Sequence, residues 1–170
     1  MKRKSMKRKI AAGAMILTAW IMCSCAATMS GVVIADVKIN APVEEVFAYL
    51  ADCRHLPEYI PEVVSVRNIS GEGQGMTFDW TIESKGTRSE GRTVVVDFVP
   101  NQRIVWNTTC GKIVTLLFQP APDGGTRLTL SVMYASEVPI EGQAVKRYVD
   151  NSTRAMFEGM LRNVKAELEK

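Results

Sequence analysis

From Met76 to Glu83 the apolar residues fall on every second position, and from Gln143 onward they fall on every third or fourth. That change of period constrains the fold more than any other feature of the chain. Met76, Phe78, Trp80 and Ile82 make one face of an extended segment, against Thr77, Asp79, Thr81 and Glu83, which is the pattern of a half-buried strand. Gln143–Glu169 contains no proline and a single glycine, Gly159. Within it Val145, Val149, Met156 and Met160 share a narrow arc at about 100° per residue, with Ser152 among them. Phe157, Leu161, Val164 and Leu168 continue the stripe, and Arg147, Arg154, Arg162, Lys165 and Glu169 sit mostly off it. The spacing predicts one amphipathic helix of about 40 Å. A long helix with one apolar face, preceded by antiparallel strands, predicts a sheet wrapped around a helix with room for a ligand between them.

The other strands read the same way. Val32–Asn40 sets Val33, Ala35, Val37 and Ile39 against Asp36, Lys38 and Asn40. Val63–Ile69, Arg88–Phe98, Arg103–Thr109, Lys112–Gln119 and Thr126–Ser136 follow, separated by turns at Gly71–Gly75, Lys85-Gly86, Pro100-Asn101, Cys110-Gly111 and Asp123–Gly125. Gly91 interrupts Arg88–Phe98, where a bulge is expected; without one, Arg88, Glu90 and Arg92 share a face with Val94, Val96 and Phe98. After the first strand, Asn40 is the expected N-cap of a helix with Pro42 at its start, Glu44 and Glu45 in its first turn, and Val46, Phe47 and Leu50 inward. Asp52 is placed to cap a second short helix, limited by Pro57 or Pro61. The order is strand, two short helices, six strands, long helix.

The first segment is of a different kind. Lys2, Arg3, Lys4, Lys7, Arg8 and Lys9 precede an apolar run of 13 residues from Ile10 to Met22, followed by Ser24, Cys25, Ala26 and Ala27. That is an export signal or membrane anchor, and residues 1–31 are read as this segment with a short tether. The Ser before Cys25 fits a bacterial lipidation motif, while Met22 and Cys23 fit it poorly. Lipidation at Cys25, ordinary cleavage and a retained anchor all stay open. The expected location is the outer face of the cytoplasmic membrane or the periplasm, with the chain lipid-anchored or signal-anchored. Beyond Lys9 the chain carries 15 basic and 18 acidic residues, a balance that gives no reason to propose nucleic acid as a partner.

The run Ile39-Asn40-Ala41-Pro42-Val43-Glu44-Glu45-Val46-Phe47, followed by Leu56-Pro57-Glu58-Tyr59-Ile60-Pro61-Glu62-Val63, resembles the START-like (SRPBCC) superfamily. Its members include polyketide cyclase/dehydrase and coenzyme Q-binding types. Tyr59 stands where tryptophan is frequent, and Pro100 after Asp97-Phe98 resembles the family's strand-ending proline. The resemblance covers Val32 to Lys170 and implies an α+β helix-grip fold: a curved seven-stranded antiparallel sheet around the C-terminal helix, with two short helices closing one end. It also implies a pocket for a hydrophobic small molecule. Joined to the faces read above, it places Phe78, Trp80, Ile82, Trp106, Leu130, Val132 and Tyr134 from strands, and Val145, Val149, Ser152, Met156 and Met160 from the helix, around that pocket. In this topology the Lys85-Gly86 and Cys110-Gly111 turns lie at the end where the long helix begins, beside Val138-Pro139, which is the expected portal. Cys53 then lies at the opposite end from Cys110, and two free thiols are expected.

Catalytic groups are scarce. The one histidine, His55, lies in the polar Asp52-Cys53-Arg54-His55 turn, and one His with two Cys lacks the spacing of a zinc site. No glycine-rich phosphate loop stands at a strand-to-helix junction. Ser152, Tyr134, Thr108, Arg88, Glu90 and Arg92 are the polar residues to test for an inward position. The expectation is a non-enzymatic binding or carrier protein for a lipid, quinone or similar molecule, membrane-associated through its N-terminal segment, without cofactor or metal. Its alternatives are a cyclase/dehydrase-type enzyme acting on a polyketide-like or aromatic substrate, and a protein-binding module at the membrane surface.

Overall fold

The computed structural model describes residues 30–135 and 143–170. Strand β1 (Ser30–Ile39) is followed by helix α1 (Val43–Ala51), a single 3-10 turn (Cys53–His55) and helix α2 (Leu56–Tyr59). Strands β2 (Val63–Ser70), β3 (Thr77–Ser84), β4 (Thr87–Val99), β5 (Arg103–Thr108), β6 (Lys112–Pro120) and β7 (Thr126–Ala135) come next, and helix α3 (Gln143–Leu168) completes the order. The strands form one antiparallel sheet, β1-β7-β6-β5-β4-β3-β2. Five consecutive hairpins run from β2 to β7, and β1 pairs with β7 from Ser30↔Ala135 to Ile39↔Thr126. This is the expected α+β helix-grip architecture, a curved seven-stranded sheet with two short helices after its first strand and a long C-terminal helix.

Period two decides what faces inward. Phe78 and Trp80 on β3, Ile104 and Trp106 on β5, Val114, Leu116 and Phe118 on β6, and Leu128, Leu130 and Val132 on β7 are all buried. From α3, Phe157, Met160, Leu161 and Val164 are buried at helical spacing. Each such side chain stabilises the fold by about 1.5–3 kcal/mol through apolar surface withdrawn from water. Phe47 of α1 fills one end, with edge-to-face contacts to Phe98 at 5.2 Å and Phe118 at 5.1 Å.

Two expectations of local structure are corrected. Gly91 marks no bulge: the β3–β4 register runs unbroken from Thr77↔Val94 to Ser84↔Thr87, with Trp80 opposite Gly91. The glycine is there for contact, since a Cβ at Gly91 would stand 2.3 Å from Trp80 Cζ2. The bulge lies further on, between Val95 and Asp97. It leaves Val96 exposed and turns Phe98 inward onto Phe47, so Phe98 leaves the face of Arg88, Glu90 and Arg92. Asn40 is not the cap of α1 either. Pro42 holds that position, with φ −58° and ψ 151° and no side-chain hydrogen bond, while the Asn40 N–H donates to Glu169 Oε1 at 2.7 Å.

Asp52 does cap the 3-10 turn, accepting from the Arg54 N–H at 3.0 Å and from Arg54 Nε at 2.8 Å. Lys85 and Gly86, with φ of +50° and +76°, make the two-residue turn between β3 and β4. Alongside β1, α3 supplies Arg154 Nη1 to the Ile34 carbonyl at 3.1 Å and Lys165 Nζ to the Lys38 carbonyl at 2.7 Å. Cys53 is buried, Cys110 is exposed on the β5–β6 turn, and both are free thiols.

Candidate functional site

Between α3 and the inward faces of β3 to β6 lies an apolar cavity of about 110 Å³. Phe78, Trp80 and Ile82 of β3, Trp106 of β5 and Val114 of β6 form its sheet wall. Leu56, Ile60 and Val63 close it from the α2 side, and Met156, Phe157 and Met160 from α3. Phe78 meets Trp106 edge to face, with ring centres 6.5 Å apart and planes at 88°. The polar handle of Trp80 is already occupied, because its Nε1–H donates to Thr93 Oγ1 at 3.1 Å. The indole therefore offers the cavity hydrocarbon surface and no free donor.

One pole of the cavity is polar. Thr108, Cys110 and Lys112, all from the β5–β6 hairpin, line it there. The Thr108 hydroxyl accepts from the Lys112 N–H at 3.1 Å, lies 3.1 Å from the Lys112 carbonyl, and stands 3.0 Å from Cys110 Sγ. That side chain knits the hairpin together.

A second space of about 200 Å³ adjoins the first on the outside, between Tyr59–Glu62 and the α3 residues Ala155, Gly159 and Asn163. Ile60, Met156, Phe157 and Met160 line both spaces, so they form the partition. Asn163 Nδ2 donates to the Tyr59 carbonyl at 3.2 Å and holds α3 to the end of α2. Together the two spaces approach the lower end of the ~300–1,000 Å³ typical of small-molecule sites. Two of the four partition residues are methionines, whose unbranched side chains repack at low cost.

Of the pocket residues expected from sequence, Phe78, Trp80, Ile82, Trp106, Met156 and Met160 meet at the cavity. Leu130 and Val132 are fully buried in the core and do not line it. Tyr134 is buried against Gly31, where a Cβ would stand 2.3 Å from its ring. Ser152 is exposed on α3. Val145 and Val149 have side chains outside the described residues, as do Cys25 and the Val138-Pro139 segment entirely. Residues not expected there are Leu56, Ile60, Val63, Thr93, Cys110, Lys112, Val114 and Phe157. Counting back in twos from Phe118 through Leu116 and Val114 reaches Lys112, so a signal for that residue was present.

The carboxylates, arginines and histidine lie elsewhere. Arg88, Glu90 and Arg92 stand on the outer face, where Arg88 pairs with Glu83 and Glu90, and Arg92 with Asp79 at 2.6 Å. Arg92 and Asn68 hold the Asp79 carboxyl well below the usual range, at about 2. At the α1–α2 corner Tyr49 Oη donates to Glu58 Oε2 at 2.8 Å, and His55 Nδ1 lies 2.9 Å from Glu58 Oε1. His55 and Tyr49 lower the Glu58 carboxyl, while burial and Glu58 push the Tyr49 phenol up. None of these residues lines the cavity. Among the described residues no three His, Cys, Asp or Glu side chains gather as a metal site, and no helix is long and apolar enough to cross a membrane.

Known proteins agree with this geometry. The structure is similar to the di-domain ARO/CYC StfQ from the steffimycin biosynthetic pathway (20% identity, TM-score 0.69), covering 83% of this chain and 51% of that one. The chain thus spans about half the length of that protein. It is also similar to a START superfamily protein from Mycobacterium smegmatis (15% identity, TM-score 0.68, 81% and 97% covered). A third similar structure is TTHA0849 from Thermus thermophilus (23% identity, TM-score 0.63, 81% and 99% covered). At these identities the likeness establishes the fold. Among curated proteins none matches the sequence. The family model described as "Polyketide cyclase / dehydrase and lipid transport" matches residues 30–169, and the chain belongs to that family.

Proposed function

We propose that this protein binds and carries a small hydrophobic molecule, held between the sheet and α3, at a membrane surface outside the cytoplasm. The observation that carries the reading is the cavity itself, apolar but for one pole and continuous in its walls with an outer space across a partition rich in methionine. About 0.8 kcal/mol per buried CH₂ supplies the affinity. The inner space suits a single ring or a short chain, with longer groups extending past Met156 into the outer one. The six N-terminal cations and the Ile10–Met22 run support export and attachment, which would keep the pocket where apolar molecules concentrate. Cyclase-type chemistry has less support, since the described lining supplies one ammonium and no carboxylate or imidazole.

The test is native against denaturing mass spectrometry of the purified protein, before and after incubation with membrane-lipid extract. A small apolar adduct, lost on denaturation and lost in Met156→Asp, is expected. A chain that stays empty in the extract, with folding intact by circular dichroism, refutes carriage.

A further inference from the structure

We propose that the ligand is an amphiphile with a single anionic head, a carboxylate or its equivalent, seated on Lys112; this rests on the binding reading above. Lys112 is the one charged residue among those lining the cavity. It precedes Val114, Leu116 and Phe118 on the inward face of β6, all three of them buried, and it is itself half-buried. Lys38, Lys165 and Lys170 each have a carboxylate partner. Lys112 has none among the described residues. A partly exposed lysine at the edge of an apolar cavity can line it with its stem and keep its ammonium at the mouth, and an anionic head entering with its tail supplies a charge-assisted partner there.

The hairpin leaves the ammonium as the group available for a ligand. Thr108 spends its hydroxyl on the Lys112 backbone and on Cys110, which fixes the strand that carries the side chain. Elsewhere in the lining Phe78 and Met160 provide only hydrocarbon contact, and the Trp106 indole adds a neutral N–H donor without charge. A neutral molecule would fill the same space but leave Lys112 without a counter-charge among the described residues, and a cationic one would be repelled.

The experiment titrates the full chain with octanoate, octan-1-ol and octylammonium, following emission from Trp80 and Trp106 in the cavity wall and heat by calorimetry. Octanoate is expected to bind about tenfold more tightly than octan-1-ol, a discrimination of the size one partly exposed charge-assisted hydrogen bond gives. Lys112→Gln should abolish that preference, bringing octanoate to the level of octan-1-ol in the same variant, Lys112→Arg should keep it, and Lys112→Glu should favour octylammonium. Equal binding of octanoate and octan-1-ol by the wild type, or a preference that survives in Lys112→Gln, overturns the anionic head and leaves the cavity as a binding site. Failure of all three probes to bind the wild type overturns both readings.

Discussion

Replacing Gly91 by alanine tests whether the floor of the cavity is built as described. The new Cβ would stand 2.3 Å from Trp80 Cζ2, 2.5 Å from Trp80 Cη2 and 2.9 Å from Thr109 Oγ1. No such contact is tolerated, so the indole must lift from β4. Overpacking of this kind costs about 1–3 kcal/mol. The displaced Nε1–H also leaves Thr93 Oγ1, a buried bond 3.1 Å long whose loss costs about 1 kcal/mol. Gly91→Ala should therefore destabilise by about 2–4 kcal/mol, lowering Tm by about 5–15 °C for a domain of this size. Urea unfolding followed by circular dichroism measures the change, and the same samples should show altered Trp80 emission. A double-mutant cycle with Trp80→Leu isolates the contact, because with the indole gone the alanine should cost less than about 1 kcal/mol. A Gly91→Ala protein within about 0.5 kcal/mol of wild type, or an additive cycle, would refute the reasoning.

Three other outcomes are expected. Leu161→Ala, at a position 2% exposed on the buried face of α3, should cost about 2–5 kcal/mol in the same unfolding assay, the cost of a core cavity. Because the folded-state pKa of Asp79 is depressed, its pairing with Arg92 stabilises the fold above the ordinary carboxylate pKa of about 4 and is lost as pH falls toward about 2. Asp79→Asn should flatten the stability profile in that window and, between pH 6 and 8, lower the stability by the lost pairing without changing its slope. Lys85, at φ +50° in a turn that calls for two left-handed residues, should gain a few tenths of a kcal/mol on replacement by asparagine, read as a small rise in Tm.

The fold was legible because its two periods are clean where they matter. Met76–Glu83 alternates without exception, and the Phe157–Val164 stripe holds helical spacing to the last turn. The inward turn of Phe98 was not legible. Val94-Val95-Val96 are alike in hydropathy, so a register slip inside them leaves no trace in composition, whereas Gly91 carries the residue type that bulges favour. The site was half legible for a related reason. Sequence pattern says which side chains point inward and not which of them stop short of close packing, so Leu130 and Val132 could not be told from Phe78 and Trp106. Lys112 is hard to place from sequence because a lysine at a turn reads as solvated, although Val114 and Leu116 beyond it fix its face. Leu56, Ile60 and Val63 needed the third dimension, since only the folded chain brings α2 beneath α3.

The polar side chains that α3 lays along β1 have a consequence beyond holding the helix in place. Ile34 and Lys38 lie on a strand whose other side is paired with β7, Asn40 follows directly after it, and Arg154, Lys165 and Glu169 occupy their backbone groups. A border that would otherwise template a foreign strand is already spoken for. At the far border, β2 breaks its own regularity twice, between Val63 and Ser65 and between Arg67 and Ser70, and Asn68 takes a left-handed φ of +53°. One margin is shielded and the other crooked. Copies of this domain are thus kept from joining sheet to sheet, and a protein built around an apolar interior can be concentrated without seeding aggregation.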